Sequence, residues 1–194
     1  MTALSVSWRF VVVDINHVFD FAVPYFFGFY EAEFFARKAG FFAVNARKDK
    51  MKFHFYTTLN DEEWATKDED FKKYVSTVGS LTPDQCPSFY QQVDGVIFPS
   101  LLECFSATPL EAMVMTKPLF SSDRGFVRDV CGDYSLYFDP EDAADIAEKI
   151  ANYFKSNIDY SERLTEARNH ALNFSSARGR AEKYLEIIQQ HIAD

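Results

Sequence analysis

The sequence predicts an α/β protein with a Rossmann-like, doubly wound parallel sheet. Between residue 52 and the end of the 194-residue chain, short apolar segments rich in β-branched and aromatic residues alternate with longer amphipathic segments. The short segments have the composition and turn-residue boundaries of strands, and the longer ones repeat apolar residues at helical spacing. Strands that alternate with helices are usually parallel and covered by helices on both faces. Such sheets bind ligands beyond the carboxyl ends of their strands.

Six segments have the composition of strands. Residues 10–13 are a phenylalanine and three valines, and residues 52–59 alternate and are rich in aromatic and β-branched side chains, which is typical of strands. We predict the remaining strands at residues 95–100, 117–123 and 135–140, with either a strand or a loop at residues 75–81.

Helices are predicted between and after these strands. Asn60, a good N-cap followed by acidic residues, begins a helix over residues 60–75,. The most regular amphipathic pattern covers residues 141–156,. In the last predicted helix, Leu185 and Ile188 suit the inner face. Further helices are expected at residues 31–40, 88–93, 108–115, 160–174 and 176–193, with either a short helix or a turn at residues 124–130.

The composition disfavours several functional classes. The 20 basic and 29 acidic residues give a net charge of −9, which argues against a nucleic acid or an anionic membrane surface as partner. The three cysteines form no CxxC pair and the four histidines are scattered, so we expect neither a zinc site nor a disulfide framework. We read no signal peptide and no membrane span, and we expect a reducing, cytoplasmic location.

The two ends of the chain differ in composition. Ten of the 21 phenylalanines fall between Phe10 and Phe42, where most of the sequence has no assignable helical or strand period. We therefore divide the chain into an atypical Phe-rich N-terminal segment, residues 1–50, and a regular α/β domain, residues 51–194. The segment is expected to be part of the domain or packed on it.

The strongest local pattern is FPSLLECFSATPLEAM, residues 98–113. It combines a strand end, a loop with Glu103, and a helix that begins near Ser106 and contains Glu111. A helix start offers unpaired backbone N–H groups to a phosphate, and a carboxylate accepts hydrogen bonds from vicinal hydroxyls. The pattern therefore suits a nucleotide sugar, which has a sugar on each side of its phosphates. The alternative is a capping box, in which Thr108 and Glu111 only cap their own helix.

This stretch resembles the C-terminal domain of retaining glycosyltransferases of the GT-B fold, family 4, which carries a Glu-x7-Glu motif. Glu103 and Glu111 match the two glutamates. The resemblance continues through residues 93–142, with a Pro-Ser strand end, a Lys-Pro strand, a Cys-Gly-Asp turn and Phe-Asp-Pro-Glu-Asp before a helix. It covers residues 52–190 and implies a single half of a GT-B enzyme, with residues 51–194 as the nucleotide-sugar-binding domain.

The resemblance also implies roles for individual residues. Glu103 would contact the transferred sugar near the reacting centre as the catalytic residue, and Glu111 would hold the ribose hydroxyls of the nucleotide. The backbone amides of Cys104, Phe105 and Ser106 would contact the donor sugar or its phosphates.

The implied donor is a sugar linked to UDP, GDP or ADP, with its base against the loop around Gly79 and Leu81. The resemblance implies transfer with retention of the anomeric configuration and with no metal or other cofactor, because helix N–H groups and basic side chains take the diphosphate charge. Arg124 and Arg128 follow a predicted strand, and they either approach a phosphate or pair with surface acids such as Asp123.

Two departures from the family pattern leave two functions open. The family places an Arg and a Lys soon after the first strand of this domain, whereas the nearest basic residues here are Arg37, Lys38, Arg47 and Lys48. Residues 1–50 are therefore either divergent core or not the native family segment. The family also binds its acceptor on an N-terminal GT-B domain, for which this chain has no room. We expect the donor-binding half of a glycosyltransferase, or a catalytically incomplete nucleotide-sugar-binding or interaction module that needs a partner domain.

Overall fold

The computed structural model describes residues 7–12, 52–73 and 75–192, and within them it contains one parallel sheet of six strands. The order of the strands is β3-β2-β1-β4-β5-β6, which is the order of a doubly wound Rossmann sheet. The predicted fold class is therefore confirmed. The strands are β1 (Ser7–Val12), β2 (Lys52–Thr57), β3 (Val75–Thr77), β4 (Gly95–Phe98), β5 (Leu119–Ser122) and β6 (Leu136–Phe138).

Helices connect the strands and follow the last of them. The predictions of helices after Pro83, after β4 and after β6 are confirmed within a few residues. The helices of the described residues are α1 (Asp61–Ala65), α2 (Glu69–Lys72), α3 (Cys86–Gln91), α4 (Thr108–Val114), α5 (Gly125–Cys131), α6 (Ala143–Lys155), α7 (Ser161–Leu172) and α8 (Ala177–Ile192).

Each face of the sheet buries its own apolar cluster. On the first face, Phe55, Ile97 and Phe120 pack under α6, which contributes Ile146 and Ile150. All five are at most 1% exposed, and burying each such side chain contributes about 1.5–3 kcal/mol. The regular apolar repeat of α6 is therefore explained by its packing, because one side of the helix covers this face of the sheet.

The opposite face carries the helices that follow β3, β4 and β5. Val96 and Phe98 of β4 point to this side, because side chains alternate along a strand. They pack with Met113 of α4 and Val127 of α5, and Ala167 of α7 completes the cluster. The helix α4, which contains the second glutamate of the sequence motif, and the neighbouring α3 thus lie on this second face.

Strand β1 links the two halves of the sheet. Phe10 pairs with Phe55 of β2 on one side and with Gly95 of β4 on the other. The direction in which strands are added reverses between β1 and β4, and ligands of this fold class bind at the carboxyl edge of that reversal. The loop after β4 therefore leaves the sheet where a ligand is expected.

The helix predicted over residues 60–75 is wrong in one respect, because it is broken into α1 and α2. Asn60 does cap α1, and its side chain and that of Glu63 bond reciprocally to each other's backbone N–H. The break follows from Asp68, whose carboxylate accepts a hydrogen bond from the N–H of Phe71 at 2.7 Å. A short polar side chain that bonds to nearby backbone in this way starts a new helix instead of continuing the old one.

The prediction that Leu185 and Ile188 face inward on the last helix is wrong. They are 57% and 51% exposed, and other large apolar residues of α8 are equally open. The periodicity of α8 is that of an amphipathic helix, but within the described residues its apolar side has no core beneath it. The helix predicted at residues 31–40, most of the phenylalanine cluster and the four nearest basic residues lie outside the described residues.

Candidate functional site

The loops that carry the predicted ligand-binding residues and their neighbours leave the sheet at its carboxyl edge. They follow β2, β3, β4 and β5, and parallel pairing brings all four strand ends to the same side. The loop after β4, residues 99–107, leads into α4 and contains most of the residues predicted to bind a ligand. We name it the β4 loop.

Glu103 is the most unusual residue of the β4 loop. It is only 6% exposed, and neither of its carboxylate oxygens has a hydrogen-bond partner among the described residues. Burial raises the pKa of this carboxyl, and the nearby hydroxyls of Ser100 and Ser106 offset part of that rise. A buried carboxyl without a partner destabilises the free protein, so its presence here points to a ligand that supplies the missing hydrogen bonds.

Two more unpartnered oxygens lie at the same edge of the sheet. The hydroxyl of Ser100 follows β4 and that of Thr57 ends β2, and both are buried without a hydrogen bond among the described residues. Native proteins leave few such groups. Their location at the strand ends beside the reversal of the sheet matches the expected position of a ligand site.

The three residues after Glu103 present backbone donors. The N–H groups of Cys104, Phe105 and Ser106 have no hydrogen-bond partner within residues 7–12, 52–73 and 75–192. Cys104 and Phe105 are exposed, whereas Ser106 is 7% exposed beside Glu103. The loop therefore combines open backbone amides with a buried carboxyl, which is an arrangement able to receive both phosphate and hydroxyl groups.

The capping-box interpretation of Thr108 and Glu111 is wrong. The residue that caps α4 is Ala107, and it makes no side-chain hydrogen bond. Thr108 and Pro109 already belong to the helix, and the backbone N–H of Glu111 donates to the carbonyl of Ala107 instead of to the Thr108 hydroxyl. Instead, Glu111 is exposed on the first turn of α4 and accepts a hydrogen bond from another element.

That donor is Tyr90, a residue that the sequence analysis did not single out. Its hydroxyl lies 3.0 Å from Oε2 of Glu111, and the residue is 5% exposed on α3. Tyr90 and Val93 are both buried, but the predicted helix is too short for its apolar positions to indicate clearly which side faces the core. Only the fold reveals that this side of α3 meets the start of α4.

Gly79 and Leu81 lie in the loop between β3 and α3. Gly79 has a positive φ of 74°, which favours glycine,, and its N–H donates to the hydroxyl of Thr77 at 3.0 Å. A cavity of about 420 Å³ opens beside this loop, lined by Leu81, Asp84 and Phe89 among others. It is large enough for a nucleobase, and its lining combines apolar and polar side chains,.

Arg124 and Arg128 pair with acids. Arg124 donates to Glu141 at 2.8 Å, and Arg128 donates through two nitrogens to the carboxylate of Asp123. This hydrogen bond lowers the pKa of Asp123. Of the two roles left open for these arginines, the structure favours the surface ion pair.

The described residues contain neither a metal-binding cluster nor a membrane-spanning helix. In residues 7–12, 52–73 and 75–192, no group of three or more histidine, cysteine, aspartate or glutamate side chains is arranged to hold a metal ion. Over the same residues, no helix has both the length and the apolar character needed to cross a membrane.

The sequence matches one known family. Residues 57–170 match the family described as "Glycosyl transferases group 1". This range contains the β4 loop, both glutamates, Tyr90 and the loop between β3 and α3. No curated protein matches the chain significantly.

Solved structures with a similar fold include a sucrose-phosphate synthase and a glycosyltransferase. The sucrose-phosphate synthase of Thermosynechococcus elongatus has a TM-score of 0.65 at 16% identity, over 96% of this chain and 46% of its own. A glycosyltransferase of Rickettsia africae has a TM-score of 0.65 at 15% identity, over 94% and 48%. A variant of S. aureus TarM in complex with Fondaparinux, alpha-GlcNAc-glycerol and UDP has a TM-score of 0.64 at 18% identity, over 91% and 34%.

These structures share the fold at low sequence identity. The chain spans less than half the length of each of the three. The part that it spans is one Rossmann-like half, consistent with a GT-B half domain.

Proposed function

The chain belongs to the group 1 glycosyl transferases, and from that membership we propose that it is the donor-binding half of a retaining, family 4-like glycosyltransferase. Its substrate is a nucleotide-diphosphate sugar, with UDP, GDP or ADP as the nucleotide. Residues 51–194 form the donor-binding domain, and residues 1–50 are an atypical segment that contributes β1 to the sheet. The free cysteines of the described residues suit a reducing, cytoplasmic setting,.

One observation carries the proposal: the carboxyl of Glu103 is buried and unpartnered within a loop that presents free backbone amides. A sugar hydroxyl can donate to this carboxyl, and the amides of Cys104, Phe105 and Ser106 can donate to the phosphates beside it. The unsatisfied groups thus include both the acceptor for a sugar hydroxyl and the donors for a phosphate. Glu103 and Glu111 are spaced as in the Glu-x7-Glu motif.

Glu111 is proposed to bind the ribose. Its exposed carboxylate keeps acceptor capacity after bonding to Tyr90, because an ionised carboxylate has about four lone-pair sites. The cavity beside Gly79 and Leu81 then receives the base. The donor would run from this cavity past Glu111 to Glu103, with the transferred sugar at the buried carboxyl.

The first test is calorimetric titration of the chain with UDP, GDP and ADP, and with their common sugar conjugates. We expect one nucleotide to bind, and Glu111→Ala to weaken it about 10-fold to 100-fold, because hydrogen bonds to a charged group are lost. Glu103→Ala should spare the free nucleotide and weaken the nucleotide sugar. The matched control is Glu166→Ala, which removes an exposed carboxylate on α7.

The two glutamate variants decide the site assignment. If both bind every ligand as the wild type does, the proposed donor site is wrong. If Glu103→Ala weakens the free nucleotide as much as the nucleotide sugar, the division of roles between the two carboxylates is wrong, although the site itself stands.

A second candidate function is a nucleotide-sugar-binding module that is completed by a separate N-terminal GT-B domain. The 16-residue helix α8 favours this second candidate, because exposed apolar residues at helical spacing are typical of a surface that binds another protein,. The exposed set is Tyr184, Leu185, Ile187, Ile188 and Ile192. Turnover separates the candidates: a chain that binds a nucleotide sugar but releases no nucleoside diphosphate, with water or sugar acceptors present, is the module and not the enzyme.

A further inference from the structure

The hydrogen bond between Tyr90 and Glu111 joins the two helices that flank the candidate nucleotide site. Tyr90 lies on α3, which follows the loop of Gly79 and Leu81, and Glu111 lies on the first turn of α4. The phenol oxygen and Oε2 of the carboxylate are 3.0 Å apart. Because Tyr90 is 5% exposed, water competes poorly for this hydrogen bond.

The direction of the hydrogen bond is fixed. Burial, together with the charge of Glu111 and the bond to it, holds the pKa of Tyr90 far above its usual range. The phenol is therefore always the donor and the carboxylate the acceptor. Of the other groups facing this carboxylate, the thiol of Cys86 has its pKa raised by burial and then by the charge of Glu111, so it stays protonated and adds no competing charge.

The hydrogen bond restricts a side chain that would otherwise rotate freely. Glu111 is exposed, and an exposed glutamate samples several rotamers about its flexible bonds. With Oε2 held by Tyr90, the other oxygen, Oε1, points in one direction before any ligand arrives. Preorganisation of this kind improves binding by reducing the ordering that the ligand must impose.

We propose that Tyr90 is a positioning residue which orients Glu111 so that the site selects ribonucleoside over 2′-deoxyribonucleoside diphosphates. The inference rests on the proposed function, in which Glu111 binds the ribose. A correctly oriented carboxylate accepts from both vicinal hydroxyls of a ribose, and a 2′-deoxy sugar offers one of them. A freely rotating carboxylate can follow the single remaining hydroxyl, so it discriminates less.

The test compares UDP, GDP and ADP with their 2′-deoxy counterparts by calorimetry. In Tyr90→Phe we expect the affinity for the bound ribonucleotide to fall about threefold to tenfold, as for loss of one hydrogen bond. The 2′-deoxy affinity should change less, so the ratio of the two affinities should fall. A purely structural role for Tyr90 would weaken both nucleotides equally and leave the ratio unchanged.

Tyr137→Phe is the matched control. Its hydroxyl also makes one hydrogen bond from a half-buried position, to the carbonyl of Gly132 at 2.5 Å, but it faces neither glutamate. This variant should keep the wild-type ratio. Urea unfolding of both variants checks that they fold.

A double-mutant comparison distinguishes a failure of the role proposed for Tyr90 from a failure of the proposed nucleotide site. In the Glu111→Ala background, Tyr90→Phe should change nothing further, since the phenol acts only through the carboxylate. If Glu111→Ala lowers the affinity but Tyr90→Phe leaves the ratio intact, Tyr90 does not position Glu111 and the inference is overturned alone. If Glu111→Ala binds the nucleotides as the wild type does, or if no nucleotide binds to the wild type, the proposed function is wrong. The role proposed for Tyr90 is then wrong as well.

Discussion

The loops that follow β4 and β5 leave the same edge of the sheet side by side, but they differ in how their charged groups are satisfied. After β5, Asp123 and Arg128 form a two-point ion pair, and Arg124 bonds to Glu141. After β4, Glu103 is buried with no partner among the described residues. The charged groups after β5 are thus paired with one another, whereas the carboxyl of Glu103 lacks a hydrogen bond within the part of the chain that the structure describes.

This difference separates structural from functional polar groups. Buried polar atoms in native proteins are nearly always paired, so a paired loop needs no explanation beyond stability. An unpaired one costs stability, and proteins carry such costs mainly at binding and catalytic sites. The comparison therefore supports the proposal that the β4 loop binds a ligand, independently of any likeness to other proteins.

Among the variants that test the contrast between the two loops, Glu103→Met should change the free energy of unfolding most. Methionine fills a similar elongated space without a polar group, so the variant should be about 1–3 kcal/mol more stable than the wild type, the cost of an unsatisfied buried polar group. Urea unfolding at neutral pH measures the difference, with the exposed Glu166→Met as control. A less stable Glu103→Met protein would mean that the carboxyl has a partner in the free protein.

The free energies of unfolding of the wild type and Glu103→Met should become more similar in acid. Burial raises the pKa of Glu103 in the folded state above its ordinary value of 4.5, so the native state holds this proton more tightly than the unfolded state. The contribution of Glu103 to stability is then fully present below pH 4.5 and is lost as the pH rises through the raised folded pKa. Urea midpoints measured across that range should show the advantage of Glu103→Met shrinking on acidification, and a constant gap would contradict the assigned cause.

A smaller effect is expected where the two loops touch. Ser122, the last residue of β5, donates through its hydroxyl to the carbonyls of Phe98 and Ser100 on the β4 side. Ser122→Ala should cost about 1 kcal/mol, as for one buried hydrogen bond, and should speed backbone hydrogen exchange in residues 99–107.

Ser121→Ala is its control, because that serine is equally buried but bonds to Ser135 instead. It should lower the free energy of unfolding to a similar extent while leaving exchange in the β4 loop unchanged. Equal exchange in the two variants would show that Ser122 does not hold the loop.

The smallest effect is expected in the loop after β5. Glu141→Gln removes the charge that pairs with Arg124, and both side chains are partly exposed. An exposed pair contributes about 0.2–1 kcal/mol and less in high salt. Thermal unfolding should show a small loss that disappears in concentrated sodium chloride, and a loss as large as the gain in Glu103→Met would break the contrast between the loops.

Most of the sheet could be predicted from the sequence because each strand is short, apolar and closed by a turn residue. The strands after Gly95 and Lys117 are examples, and so is α6 with its regular apolar stripe. Local chemistry that competes with periodicity was harder to predict. Asp68 breaks a helix that its neighbours favour, and no helical period indicates which residue of a stretch will bond to its own backbone.

The candidate site was predicted in part. Glu103 and Glu111 are visible in the sequence as a spaced pair, but their environments are not. Burial of Glu103 depends on how the β4 loop folds against the sheet, and the partner of Glu111 lies 21 residues away on another element. Long-range contacts of this kind are set by topology, so the capping box was a reasonable but wrong local interpretation.

The central position of β1 has a consequence for how the chain is made. Phe10 is synthesised well before Gly95, at which one of its two neighbouring strands begins. Until that strand is synthesised, one edge of β1 has no partner, and unpaired apolar edges favour aggregation. Closing so long a loop also makes folding slow, since the pairing is far from local. The nascent chain should therefore depend on chaperones until the strand that begins at Gly95 has been synthesised.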